Sequence, residues 1–312
     1  MTRRSPLPES FAARAFSTAE ALRSGVSPSR LRSADLSQPF RGVRSSTPAT
    51  TVRERATALH AVLPDTAVFS HTTAAAIHGA PLPAAVESGP LHVTVGRPNR
   101  ASRRAGVVWH EATAPLAWTS VGGLRVASPS VAYCQLGSLL SVGDLVAVGD
   151  FLVTGDEPIS RTQPLCGVDE LAAAVARLGP TRGIRRLRQA VELVRWGPLS
   201  RPESLLRVGL VLEGHPEPAI NFPIFLPSTG RWIMVDLAYP GLKLAFEYEG
   251  DYHRTDRAKF EDDILRRERL AELGWTVIRV TAHDLSARGW PEFLARVQLH
   301  LQRAHPVADS TR

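Results

Sequence analysis

"RWIMVDLAYPGLKLAFEYEGDYHRTD", residues 231–256, decides how the C-terminal part of this chain folds. An apolar-rich run from Arg231 to Tyr239, a Pro240–Gly241 turn and a second run over 242–250 read as a hairpin of two strands. In a strand, residues two apart share a face. Leu242, Leu244, Phe246 and Tyr248 therefore make a core face, and Lys243, Ala245, Glu247 and Glu249 point the other way. On the first strand Asp236 interrupts the apolar run between Val235 and Leu237. Paired across the turn, it comes about level with the middle of the second strand. Asp236, Glu247 and Glu249 are expected to converge near one edge of the sheet. Carboxylates so close repel one another and are costly to bury unless something neutralises them. A hard divalent cation does so, because Mg²⁺ takes oxygen ligands and keeps several waters. Such an ion polarises a phosphoryl oxygen and lowers the pKa of a bound water, the requirements of phosphodiester hydrolysis.

The flanking sequence extends the pattern. "SRPESLLRVGLVLEG" reads as a helix capped at Ser200 and stopped at Gly214. "TDRAKFEDDILRRERLAELG" reads as a helix, "WTVIRVTAHDL" as a third strand and "PEFLARVQLHLQRA" as a closing helix. The expected order is α-β-β-α-β-α. With Asp236 and "FEYEG" on its hairpin, this segment resembles the PD-(D/E)XK, restriction-endonuclease-like nuclease core. More narrowly it resembles a Vsr-like (very-short-patch-repair-type) endonuclease domain, through Glu247–His253, Asp263, Arg266, Leu270, Gly274-Trp275, Val277 and Arg279. The resemblance implies Asp236 and Glu247 as metal-binding acids for Mg²⁺ or Mn²⁺, with Glu203 as the acid on the preceding helix. Ser200-Arg-Pro-Glu203 is equally a capping box, in which the glutamate only ties down the helix start. His253 follows the second strand as a general base or phosphate ligand. Arg279 faces phosphate or joins Asp263 and Arg266 in holding the helix to the sheet. The wider superfamily places a lysine where this chain has Glu249. Lys259, Arg254 or Arg257 would then supply the cation, or Glu249 itself would hold a second metal.

The 312 residues suggest roughly two or three domains. A formal charge of +7 and a pI near 10.2 favour an anionic partner such as nucleic acid over none. Lys243 and Lys259 are the only lysines. Two cysteines in no metal spacing, and no apolar run of membrane-span length, point to the cytoplasm and no membrane partner.

Residues 1–60 hold ten arginines against four acids, hence +6. Over residues 1–48, "FSTAEALRSGVSPSRLRSADL" reads as a helix at 18–24, a turn at Gly25-Val26 and a second helix opening at Ser27-Pro28. This is either a helix-turn-helix, winged-helix-like unit offering Arg30, Arg32, Arg41 and Arg44 to DNA, or a plain basic helical hairpin. Residues 49–160 form a mixed α/β middle domain, with a basic hairpin "GRPNRASRRAG" between two strands and with His71, His78 and His110 scattered as capping or packing groups. Residues 161–199 read as a helical connector and 200–312 as the nuclease-like domain. "FSTAEALRSGVSPSRLR", "FRGV" and "AVFSHTTAAAIHGAPLP" resemble AbiEi-type antitoxins of type IV toxin–antitoxin systems, which implies an N-terminal winged helix that binds DNA and a cognate toxin as partner. Two functions follow as expectations. One is a metal-dependent DNA endonuclease targeted by the N-terminal unit. The other is a DNA-binding regulator of antitoxin type with an inactive nuclease-like domain.

Overall fold

The computed structural model describes residues 6–96, 103–155, 163–250 and 257–304, the side chains of 257–263 and 302–304 excepted. The N-terminal elements are α1 (Glu9–Ala12), β1 (Phe16–Ser17), α2 (Thr18–Arg23), α3 (Pro28–Leu31) and β2 (Val43–Arg44). Ser17 and Ser27 cap α2 and α3 by accepting the N–H groups of Glu20 and Arg30. Gly25 makes the turn between the helices at φ +82°, in the left-handed region that glycine enters without cost. β1 and β2 pair antiparallel. Phe11, Phe16, Ala21, Val26, Leu31 and Leu36 form a small core of their own.

Next come α4 (Val52–His60), β3 (Val68–Phe69), α5 (His71–His78), α6 (Ala84–Glu87), β4 (Leu91–Gly96), β5 (Val107–Ala112), β6 (Trp118–Val121) and β7 (Leu124–Ala127). They are followed by α7 (Pro129–Gln135), α8 (Val142–Thr154), α9 (Val168–Ala176) and α10 (Ile184–Leu193). The strands form one sheet in the order β5-β4-β3-β7-β6. β4 and β5 run parallel, so the link between them is a crossover and not the expected hairpin. Alternation in sequence marks a strand but carries no direction. The link's residues 97–102 lie outside the described part.

The remaining elements are α11 (Arg201–Leu212), β8 (Ala219–Leu226), β9 (Arg231–Tyr239), a 3₁₀ turn (Pro240–Leu242), β10 (Leu244–Tyr248), α12 (Arg257–Glu272), β11 (Thr276–Val280) and α13 (Trp290–Ala304). Their sheet has the order β11-β10-β9-β8, with β10 and β11 parallel and the other pairs antiparallel. The expected α-β-β-α-β-α order thus gains one edge strand, β8. The β9–β10 turn is longer than a Pro-Gly hairpin, and Lys243 takes its left-handed position at φ +46°. Leu237, Tyr239, Leu244, Phe246, Ile278 and Val280 pack with Leu206 and Leu210 of α11 and Phe293 and Val297 of α13. Ala238 and Ala245, opposite each other in the ladder, pack instead with Leu270 of α12.

The chain is a mixed α/β protein with three sheets among its described residues. Its contacts divide it into two units, residues 1–148 with 165–192 and residues 149–164 with 193–312. The boundary falls inside α8. The segment read as a connector is shared, with α9 and nearly all of α10 in the first unit. In the second unit a Cβ on Gly209 would lie 2.4 Å from the Trp290 ring. Gly209→Ala is therefore expected to destabilise by about 1–3 kcal/mol through overpacking, read as a lower urea midpoint at unchanged m-value.

Candidate functional site

The register of the C-terminal sheet fixes where the acids stand. The β9–β10 ladder pairs Leu244 with Tyr239, Ala245 with Ala238 and Phe246 with Leu237, then stops. The next rung would set Glu247 opposite Asp236. Instead the Tyr248 N–H donates to Asp236 Oδ2 at 2.7 Å. On the other side of β9, Ile220 pairs with Leu237 and Phe222 with Val235, while Asn221 between them adopts φ +46°. Asp236 thus sits where pairing is interrupted on both flanks. β10 keeps its pairing with β11, Glu247 with Arg279 and Tyr248 with Val280. The two strands fork at Asp236, and the carboxylate fills the gap by taking the backbone donor that the ladder leaves over.

Glu203, in the first turn of α11, belongs to the same place. Ser200 Oγ accepts its N–H at 3.4 Å, and its own Oε2 accepts the Leu199 N–H at 3.0 Å. The capping reading therefore holds, displaced by one residue from a capping box. It does not exhaust the residue's role. Glu203 is 9% exposed. Burial first, and then the charge of Asp236, push its carboxyl up to about 7. Burial also raises Asp236, against the pull of the Tyr248 N–H and Arg266. The two carboxylates feel each other in a poorly solvated place.

The expected convergence of Asp236, Glu247 and Glu249 does not form. Glu247, on the α12 side of the sheet with Ala245, is ion-paired with Arg266 of α12. Glu249 is ion-paired with Arg279 of β11. Among the described residues no three carboxylates lie close enough to share one ion. The physical reason is the fork. Beyond Phe246 the second strand follows β11 rather than β9 and takes Glu249 to Arg279. What remains is the buried Glu203 and the half-buried Asp236, whose charge Glu203 feels, with Glu247 one rung away and held by a guanidinium. His253 and Arg254 lie outside the described residues, as do the side chains of Arg257, Lys259 and Asp263.

The N-terminal arginines separate into two groups. Arg30 bonds Asp35 at 2.9 Å, and Arg44 donates to the Leu31 carbonyl at 2.7 Å and to the Val43 carbonyl at 3.0 Å. These two hold the unit together. Arg32 and Arg41 are exposed.

The histidines read as scattered are not. His78 does pack as expected, its Nε2 lying 2.8 Å from the Ala127 carbonyl. His71 and His110 instead join His92, a residue not singled out from sequence. Two adjacent strands and the helix that follows the third supply one ring each: β5 carries His110, β4 carries His92, and His71, the second residue after β3, opens α5. His71 and His110 stack with centroids 3.7 Å apart, and His92 Nδ1 lies 3.0 Å from His110 Nε2. One ligand nitrogen from each ring lies within 4.8 Å of the other two, so the group could bind a metal ion. Burial is the main cause that lowers the pKa of His71 to about 3 and of His92 to about 4, with the neighbouring rings adding to it. Burial lowers His110 as well. All three shifts favour the neutral ring, the form that ligates a metal. The signal in the sequence was three histidines at or beside strands; only the sheet order, with β4 between β3 and β5, brings them together.

No helix among the described residues is long and apolar enough to cross a membrane. No family model matches the chain, and no solved structure does. It is 32% identical over 139 residues to Uncharacterized protein Rv2248 of Mycobacterium tuberculosis H37Rv and, equally, to Uncharacterized protein MT2308 of strain CDC 1551. The match takes in 45% of this chain and 51% of each relative. The chain spans about half the length of the curated relatives it matches.

Proposed function

We propose that the second unit is a metal-dependent endonuclease hydrolysing DNA phosphodiester bonds, brought to its target by the N-terminal basic unit. The observation that carries this reading is the half-buried Asp236 at the fork of β9 and β10, with the buried Glu203 near enough to feel its charge. Two carboxylates that feel each other's charge where water is scarce repel unless a proton or a cation lies with them. The donor set, all oxygen, fits Mg²⁺ or Mn²⁺. Asp236 and Glu203 would hold the ion, with Glu247 joining once it leaves Arg266. Bound there, the ion supplies Lewis-acid polarisation of a phosphoryl oxygen and a more acidic water. The chain's own contribution is positional. The Tyr248 N–H orients Asp236, the Leu199 N–H orients Glu203, and the start of α11 and the forked strands fix both carboxylates on regular elements. Arg266, once released from Glu247 and the Met234 carbonyl, would meet a phosphate oxygen.

A second reading is favoured by the pairing of Glu247 with Arg266 and of Glu249 with Arg279, which leaves the site self-neutralised. On that reading the chain is a DNA-binding regulator of antitoxin type, acting with a cognate toxin. Incubation of the full-length protein with plasmid, linear and single-stranded DNA, with and without Mg²⁺ or Mn²⁺, separates the two. Metal-dependent nicking supports the nuclease; operator binding without nicking under any metal supports the regulator. Both readings require the N-terminal unit to touch phosphate. Arg32→Ala and Arg41→Ala, neither of which breaks a fold contact described above, are each expected to reduce the slope of log K against log[salt] by about 1. Salt titrations of a labelled duplex give that slope, and unchanged slopes in both variants would move the DNA contact elsewhere.

A further inference from the structure

We propose that His71, His92 and His110 form a Zn²⁺ site with one open coordination position facing an anion-binding cleft. The ligand chemistry sets the metal. Three imidazoles suit zinc and its transition-metal neighbours, whereas Mg²⁺ and Ca²⁺ select oxygen. Three protein ligands plus one open position is the arrangement of catalytic rather than structural zinc.

The nitrogens are close enough for one ion, but His71 and His110 stack at 3.7 Å. The His71 ring must therefore turn out of the stack for both lone pairs, which lie in the ring planes, to reach it. With Zn–N of about 2.0–2.1 Å, tetrahedral ligand nitrogens lie about 3.3 Å apart. His92 Nδ1 and His110 Nε2 are already 3.0 Å apart. For both to ligate, the ring that donates in this contact moves its proton to its other nitrogen, with no net change in protonation. Ser70 Oγ lies 3.0 Å from His71 Nδ1. By accepting the Nδ1 proton it leaves Nε2 as the ligand, the role of an outer-shell hydrogen bond. Ser70 is fully buried. The support continues through the backbone. The His71 N–H donates to Gln135 Oε1 at 2.9 Å, and the His92 N–H donates to Thr73 Oγ1 at 2.7 Å. His71 is held at φ +52°, in the left-handed region that costs a non-glycine residue on the order of 1–3 kcal/mol and persists only where the surroundings enforce it.

The cleft supplies the rest. His71 lines an open cleft of about 490 Å³ together with Ser130, Gln135, Ser138, Arg177 and Arg182. Three neutral ligands leave the zinc's double charge uncompensated, and the two guanidiniums add to it. An anion, hydroxide or an acidic substrate group, is what that field takes at the open position.

The test uses untagged full-length protein freed of metal. Co²⁺ stands in for Zn²⁺, and inorganic phosphate stands in for the anion. The expected result is one Co²⁺ per chain, with the intense visible absorption of a four-coordinate ion, displaced by Zn²⁺ and untouched by a large excess of Mg²⁺. Phosphate shifts that spectrum in wild type and no longer does so in Arg177→Ala. Ser70→Ala weakens Zn²⁺ binding roughly 10–100-fold, and His110→Asn by at least about 100-fold. Because His110→Asn could also fail to fold, the wild-type spectrum is the deciding measurement. Absence of a four-coordinate Co²⁺ spectrum in folded wild type overturns the site. Cys134 also lines the cleft; a thiolate-to-cobalt band lost in Cys134→Ser, or a spectrum indifferent to phosphate, overturns the open position.

Discussion

Asp236→Asn is expected to give a folded protein that no longer cleaves DNA in Mg²⁺. The asparagine keeps an oxygen for the Tyr248 N–H, so the fork of β9 and β10 keeps the bond that Asp236 provides at 2.7 Å. What it loses is the charge. Asp236 would be a ligand of the ion, so without its charge the ion's stabilisation of the transition state is lost and kcat should fall on the order of 10²–10³-fold. The same substitution has a second, opposite readout. Burial and the neighbouring Asp236 charge together hold the Glu203 carboxyl near 7. Without that charge, Glu203 ionises more readily, and the repulsion inside the unit is gone. Thermal stability should therefore stay equal or rise while cleavage disappears. A merely structural Asp236 would behave in the reverse way, with stability falling and cleavage following it. Cleavage rate and melting temperature measured on one preparation tell these apart, and undiminished cleavage in Asp236→Asn would end the nuclease assignment.

The sequence carried the local rules of this fold well and its long-range geometry poorly. Ser200, Ser27-Pro28, Gly25 and Gly214 announced their caps and turns because each acts on the few backbone groups beside it. The alternating face of Leu244 and Phe246 announced the core for the same reason. β8 was not legible, since Asn221 and Pro223 break its alternation. Proline is tolerated there because β8 lies at the sheet's edge. The acids were legible as a group but not in their pairing. Strand alternation places Glu247 and Glu249 on one side, but it cannot say that β10 abandons β9 at Phe246. The histidines needed the order β5-β4-β3, which no stretch shorter than forty residues contains. The same holds for two charges that each interrupt an apolar helix. Asp150 in "VAVGDFLV" and Arg207 in "LLRVGLVL" are fifty-seven positions apart and meet in the core of the second unit.

Asp150→Ala is expected to be the most destabilising single change in that unit. Arg207 is fully buried and Asp150 is 1% exposed, with the guanidinium 3.1 Å from the carboxylate. Arg207 also donates to the Leu193 carbonyl at 2.7 Å and to Glu217. Asp150 accepts the Arg195 N–H at 2.7 Å, tying α8 to the chain that leads into α11. Alanine at 150 would strand a buried guanidinium on the half-exposed Glu217 and orphan the Arg195 N–H. Breaking one side of a buried pair costs about 3–5 kcal/mol, against a total stability of roughly 5–15 kcal/mol for a domain. Scanning calorimetry should show a loss on the order of 10 °C in the transition of the second unit. The value of the pair is a separate quantity. Two charges taken from water gain little over apolar groups of the same shape. The double variant Asp150→Leu with Arg207→Met should therefore recover most of what Asp150→Ala loses. If the double variant is as unstable as the single one, the pair specifies the packing of α8 against α11 rather than merely satisfying its own burial.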